Sequence, residues 1–163
     1  MRAFPASQRV KQFAQQSFDD PAFLAPSTLY PVASEAALRG MESSSSYDHL
    51  VPAVEFRHGP EFIVPEDILA GALIAEGGYA EESAVPPEMK ELGGRTLAMA
   101  NQLMPEVRLS ADLAVLRLLP VPELAGLVVY VVWGRVLAIY LGPRKGLNRR
   151  SLRHLSRGVT LAG

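Results

Sequence analysis

Val10, Phe13, Ala14 and Phe18 recur at helical spacing, with Arg9, Lys11 and glutamines between them. The pattern predicts an amphipathic basic helix over residues 1–18, with Ser7 as its cap. Residues 19–64 lose that rhythm. Pro21, Pro26, Pro31 and the run Ser43–Ser46 break the segment up, so it reads as an extended arm. Only residues 34–41 look helical in it, and short strands are expected near 51–56 and 62–64. Pro65 then stands at a first helical position, with Glu66 and Asp67 in the first turn. Ile68 to Ala75 is apolar without interruption, which predicts a buried helix stopped by Gly77 and Gly78. Pro86 and Pro87 open a second helix, marked by Met89, Leu92, Ala100 and Leu103 and ended by Pro105. Ser110 caps a third, running to Leu119. Residues 65–119 are thus expected as a helical body.

The segment that decides the fold class is LAGLVVYVVWGRVLAIYLG, Leu124 to Gly142, apolar or small everywhere except Arg135. At about 1.5 Å per residue it is long enough to cross a hydrocarbon core of about 30 Å. Pro122 and Glu123 form a helix start and Pro143 a stop, so residues 122–143 make a membrane-length unit. Gly134 and Ala138 are a small-xxx-small pair that lets another helix approach, and Arg135 inside a membrane would have to face a protein partner. An arginine near the centre of a span costs about 2.5–3.5 kcal/mol, and each Val, Leu or Ile returns roughly 0.3–0.6 kcal/mol, so the segment should insert. The competing reading is a β-hairpin, 127–133 with 136–142, turning at Gly134–Arg135. The fold class expected is therefore mainly α with short extended segments and one transmembrane helix (124–142). The alternative is a soluble, oligomeric α+β protein with that hairpin at its centre.

Charge layout changes the picture more than net charge, which is only −1. Between Glu61 and Glu106 acids dominate, with Lys90 and Arg95 the exceptions. From Leu124 onward there is no acid, while Arg135, Arg144, Lys145, Arg149, Arg150, Arg153 and Arg157 are all basic. Residues 144–163 read as a basic helix, capped by Asn148, with Leu152 and Leu155 on one side and Gly158 as its end. Arg144, Lys145, Arg149, Arg150, Arg153 and Arg157 would then contact anionic lipid or an acidic partner, following the positive-inside pattern. In the soluble alternative the same helix would hold nucleic acid or an acidic protein. Gly134, Arg135 and Ala138 would pack against a partner helix.

Candidate chemistry is sparse. The chain has no cysteine, which excludes disulfides, thiolate metal sites and thiol nucleophiles. Glu55, His58 and Glu61 form E-x-x-H-x-x-E, half of a di-iron pattern, but Gly59 and Pro60 interrupt it and no second copy exists. His49 beside Asp48, and His154, lack ligand spacing. Ser43–Ser46 has no nucleophile-elbow setting, and no phosphate-binding glycine motif is present. The acids from Glu76 to Glu91 read as a solvated or partner-facing surface. No catalytic, cofactor or metal residue and no small-molecule substrate is inferred. The function expected is a non-catalytic accessory subunit of a membrane complex, among other subunits and anionic lipid. A mitochondrial inner membrane is the suggested place, with a cytoplasmic location for the alternative.

Overall fold

The computed structural model describes residues 5–18, 20–59, 65–75, 80–102, 104–116 and 121–147. Its centre is a sheet of five strands: β1 (Pro21–Ala25), β2 (His49–Pro52), β3 (Leu69–Ile74), β4 (Arg95–Ala100) and β5 (Leu113–Leu116). All four strand pairings are parallel, in the order β2-β1-β3-β4-β5. The helices are α1 (Pro5–Ala14), α2 (Tyr30–Ser44), α3 (Ala80–Glu91), α4 (Pro105–Ser110) and α5 (Glu123–Arg144), with a 3-10 turn at Glu55–His58.

The two faces of the sheet follow from the alternation of side chains along each strand. Phe23, Leu69, Leu73, Leu97, Met99 and Leu113 point to one face and are covered by α1, α2 and α5. Ala22, Leu24, Ile68 and Ala70 point the other way, against Phe56, Val85 and Met89. Ile74, Ala98 and Ala100 continue that second face toward Val107 of α4. Gly71 pairs with Phe23 in the register, and a Cβ there would come within 2.8 Å of the Phe23 ring. The glycine is what lets that ring lie over the strand.

This architecture overturns the mainly α expectation. Ile68 to Ala75 holds a central strand, not a helix. A parallel strand covered on both faces is apolar at every position, so it shows no alternation to separate it from a buried helix. Arg95–Ala100 and Leu113–Leu116 were likewise expected as helix and are strands. The arm is also corrected: residues 21–25 are the second strand of the sheet in space, and residues 30–44 form a full helix. Pro86 and Pro87 lie inside α3 rather than opening it.

Residues 123–144 are one continuous helix, so the hairpin 127–133/136–142 and its reversal at Gly134 do not form. Nor is α5 a membrane anchor set apart from the body. It is long and apolar enough to cross a bilayer, but Tyr130, Leu137, Ala138 and Leu141 are buried in the domain's own core. The small residues do admit a close neighbour, and that neighbour is α2 of the same chain. A Cβ on Gly134 would lie 2.8 Å from the Ala36 Cβ, and one on Gly142 would run into the Ser43 carbonyl oxygen.

Candidate functional site

A doubly wound parallel sheet has one place where its connections leave in opposite directions. Here β1 is followed by β2 on one side, and the chain then crosses β1 to lay β3 on the other. Outside the carboxyl ends of β1 and β3 the loops part, and ligands of such sheets settle in that crevice. A cleft of about 510 Å³ lies there, within the range of small-molecule sites. Its walls are Ala25 to Thr28 after β1, Pro52 to Glu55 after β2, Ala75 after β3, and Glu82 from the start of α3.

The cleft lining carries both hydroxyls and carboxylates. Ser27 and Thr28 bring hydroxyls to the turn that leads into α2. That helix begins with Pro31 in its first turn, and its N-cap residue Leu29 makes no side-chain capping hydrogen bond. The lining also holds two carboxylates, Glu55 after β2 and Glu82 in α3. Glu82 is 3% exposed and Glu55 is exposed. The wall carrying Glu55 is fixed to α3 by a fork: Arg57 Nε and Nη2 donate to Glu88 Oε2 and Oε1, each at 2.9 Å. A bidentate pair of this kind sets orientation as well as energy.

Apart from Glu55 and Glu82, the residues singled out from the sequence fall outside the cleft. Glu55 and His58 share the 3-10 turn, and Glu61 lies outside the described residues. Among the described residues no group of three or more His, Asp or Glu side chains could hold a metal ion. Arg135 donates from Nη2 to Glu35 Oε1 at 2.8 Å, and Arg39 Nε donates to the same oxygen at 2.8 Å. Arg39 first and Arg135 next hold the Glu35 carboxyl below its ordinary value. Lys145 Nζ lies 3.0 Å from Asp20 Oδ1, and Arg144 is the last residue of α5. Arg149, Arg150, Arg153, His154 and Arg157 lie outside the described residues. The cleft residues Ser27 and Thr28 went unmarked in the sequence. Their signal was there, in a five-residue apolar run, then Pro-Ser-Thr, then a helix. Glu82 was taken as part of a solvated acidic surface and is a buried wall.

No family model matches the chain. A search of curated proteins finds glutamine–fructose-6-phosphate aminotransferase (isomerizing) of Buchnera aphidicola, 28% identical over 142 residues, 85% of this chain. The match spans 22% of that protein's length. Among solved structures, a Thermotoga maritima glucosamine-6-phosphate deaminase superposes with a TM-score of 0.72 at 20% identity, covering 95% of this chain and 46% of that one. An Escherichia coli protein in complex with A5P superposes at 0.71 with 21% identity, covering 90% of this chain and 82% of its own. The fold is that of sugar-isomerase α/β domains. These likenesses overturn the membrane accessory subunit, the exclusion of enzymes and the absence of a small-molecule ligand. The named aminotransferase and deaminase are enzymes of phosphorylated sugars.

Proposed function

We propose that this chain is a water-soluble, cytoplasmic domain that binds a phosphorylated sugar in the cleft at the β1/β3 switch point. The observation that carries it is a cleft at that point whose lining combines the Ser27 and Thr28 hydroxyls with the Glu55 and Glu82 carboxylates. A phosphate fits the side with Ser27, Thr28 and the start of α2, where backbone donors and the helix dipole favour an anion. Glu55 and Glu82, which share the lining, accept hydrogen bonds from sugar hydroxyls. The relatives named above, which act on or bind phosphorylated sugars, support the same class.

A second reading, isomerisation, is favoured by the buried carboxylate of Glu82. A carboxylate in a water-poor wall beside a sugar carbonyl can take a proton from one carbon and return it to the next. Calorimetric titration with hexose 6-phosphates, the parent hexoses and inorganic phosphate tests the binding. Phosphorylated sugars are expected to bind more tightly than the parent sugars. Ser27→Ala with Thr28→Val should weaken them about tenfold or more, the loss of charge-assisted hydrogen bonds. Equal affinity for hexoses with and without phosphate would refute the assignment. Glu82→Gln separates the two readings: binding kept with proton exchange into solvent lost points to isomerisation.

A further inference from the structure

The edge strand β2 leaves the sheet where the cleft opens. Ala53 N donates to the Ala25 carbonyl at 3.0 Å, and the 3-10 turn Glu55–His58 follows. Phe56 of that turn is buried in one cluster with Val85 and Met89, and Arg57 makes its fork to Glu88. Pro86 and Pro87 stand between Val85 and Glu88. Neither proline can donate a helical hydrogen bond, so α3 is weakest between its Glu82 end and its Glu88 end. The turn lies across that weak point, with Val85 on one side of the prolines and Glu88 and Met89 on the other. We propose that Arg57 and Glu88 are a positioning pair whose fork splints α3 and fixes the Glu55 and Glu82 carboxylates relative to each other, a role that rests on the phosphosugar reading of the cleft.

Stability alone gives the fork little to do. Its side chains are 26% and 41% exposed, and ion pairs open to water contribute little to folding. Geometry gives it more. A guanidinium–carboxylate fork fixes angle as well as distance. Glu55 and Arg57 share one turn of four residues, so holding Arg57 holds the backbone that aims Glu55. Glu82 lies about one and two-thirds helical turns before Glu88 on α3. A ligand met by two carboxylates already in register loses less freedom on binding than one that has to order them. Glu55 and Glu82 line the cleft, and Arg57 and Glu88 do not, so the pair acts through the carboxylates rather than on the ligand.

Calorimetric titration with hexose 6-phosphates and with inorganic phosphate is the test. Arg57→Gln with Glu88→Gln keeps the net charge and should weaken hexose 6-phosphates about tenfold, while inorganic phosphate binds as it does to the parent. Each single variant should lose about as much as the double, because the two side chains act as one unit. The exchanged pair, Arg57→Glu with Glu88→Arg, should recover most of the loss. The melting midpoint should stay within about 3 °C of the parent in all of them. Inorganic phosphate lost in step with the sugar, single losses that add, a larger drop in melting, or an exchanged pair no better than the double variant would each overturn the positioning role. If parent and double variant bind hexose 6-phosphate equally well, the positioning role falls and the cleft reading stands. A parent that binds phosphorylated sugars no better than unphosphorylated ones removes the cleft reading, and this role with it.

Discussion

Gly134→Val is expected to destabilise the protein by about 3 kcal/mol, the upper end of what overpacking costs in a closed core. The added atoms point at Ala36, whose Cβ would be 2.8 Å and whose Cα 3.3 Å from the new Cβ. Neither is a flexible side-chain end that can swing aside. Relief requires α5 to lift from α2, which loosens Tyr130, Leu137 and Leu141 from the sheet. For a chain of this size the midpoint of thermal unfolding should drop by roughly 6–12 °C. Urea titration followed by circular dichroism reads the change. Val128→Ala, on the outer side of the same helix, is the control and should move the monomer by no more than about 0.5 kcal/mol. A Gly134→Val variant as stable as the parent would show that the two helices do not touch there.

The second large effect is a dependence on pH set by Asp48. Its carboxyl is buried between the last turn of α2 and the start of β2, with Ser46 Oγ donating to Oδ1 at 2.6 Å. Oδ2 has no hydrogen-bond partner and lies against Gly40, where any Cβ would collide with it. Burial pushes the group from 3.8 to about 7, the Ser46 hydroxyl works against that, Asp20 adds to it and Lys145 opposes it. The folded chain therefore holds a proton that the unfolded chain releases near pH 4. Stability is full below that value, falls as pH rises toward 7, and levels off above. At about 1.36 kcal/mol per unit the fall amounts to roughly 4 kcal/mol. Asp48→Asn keeps an acceptor for Ser46 and carries no charge, so its stability should be flat between pH 4 and pH 8. Urea titrations at pH 5 and pH 8 on both proteins decide it. Equal slopes with pH would show that Asp48 is ionised throughout.

How much of this was legible in the sequence depended on the element. Val10, Phe13 and Ala14 announced the buried side of α1, whereas Phe18, expected on the same helix, is buried but lies beyond its end at Ala14. α5 was visible as a helix because its length and its flanking prolines bound it. Its setting was not visible, since a helix against a sheet core and a helix in lipid both want apolar residues, and Arg135 can be answered by Glu35 as well as by a membrane partner. The strands were hidden for the reason given for β3: Leu69–Ile74 faces helices on both sides, so nothing polar marks a period of two. The cleft was harder still. Ser27, Thr28, Glu55 and Glu82 are far apart in the chain, and only the order of the strands brings their loops to one edge.

The pairing of α2 with α5 closes a long stretch of chain, with Glu35 and Arg135 separated by 100 positions. On the ribosome every strand emerges before α5 does. Until that helix arrives, Phe23, Leu69, Leu97 and Met99 have no complete roof, and the growing polypeptide is at its stickiest just before α5 emerges. A message cut short ahead of residue 123 should thus yield a product for chaperones and proteases rather than a smaller working protein.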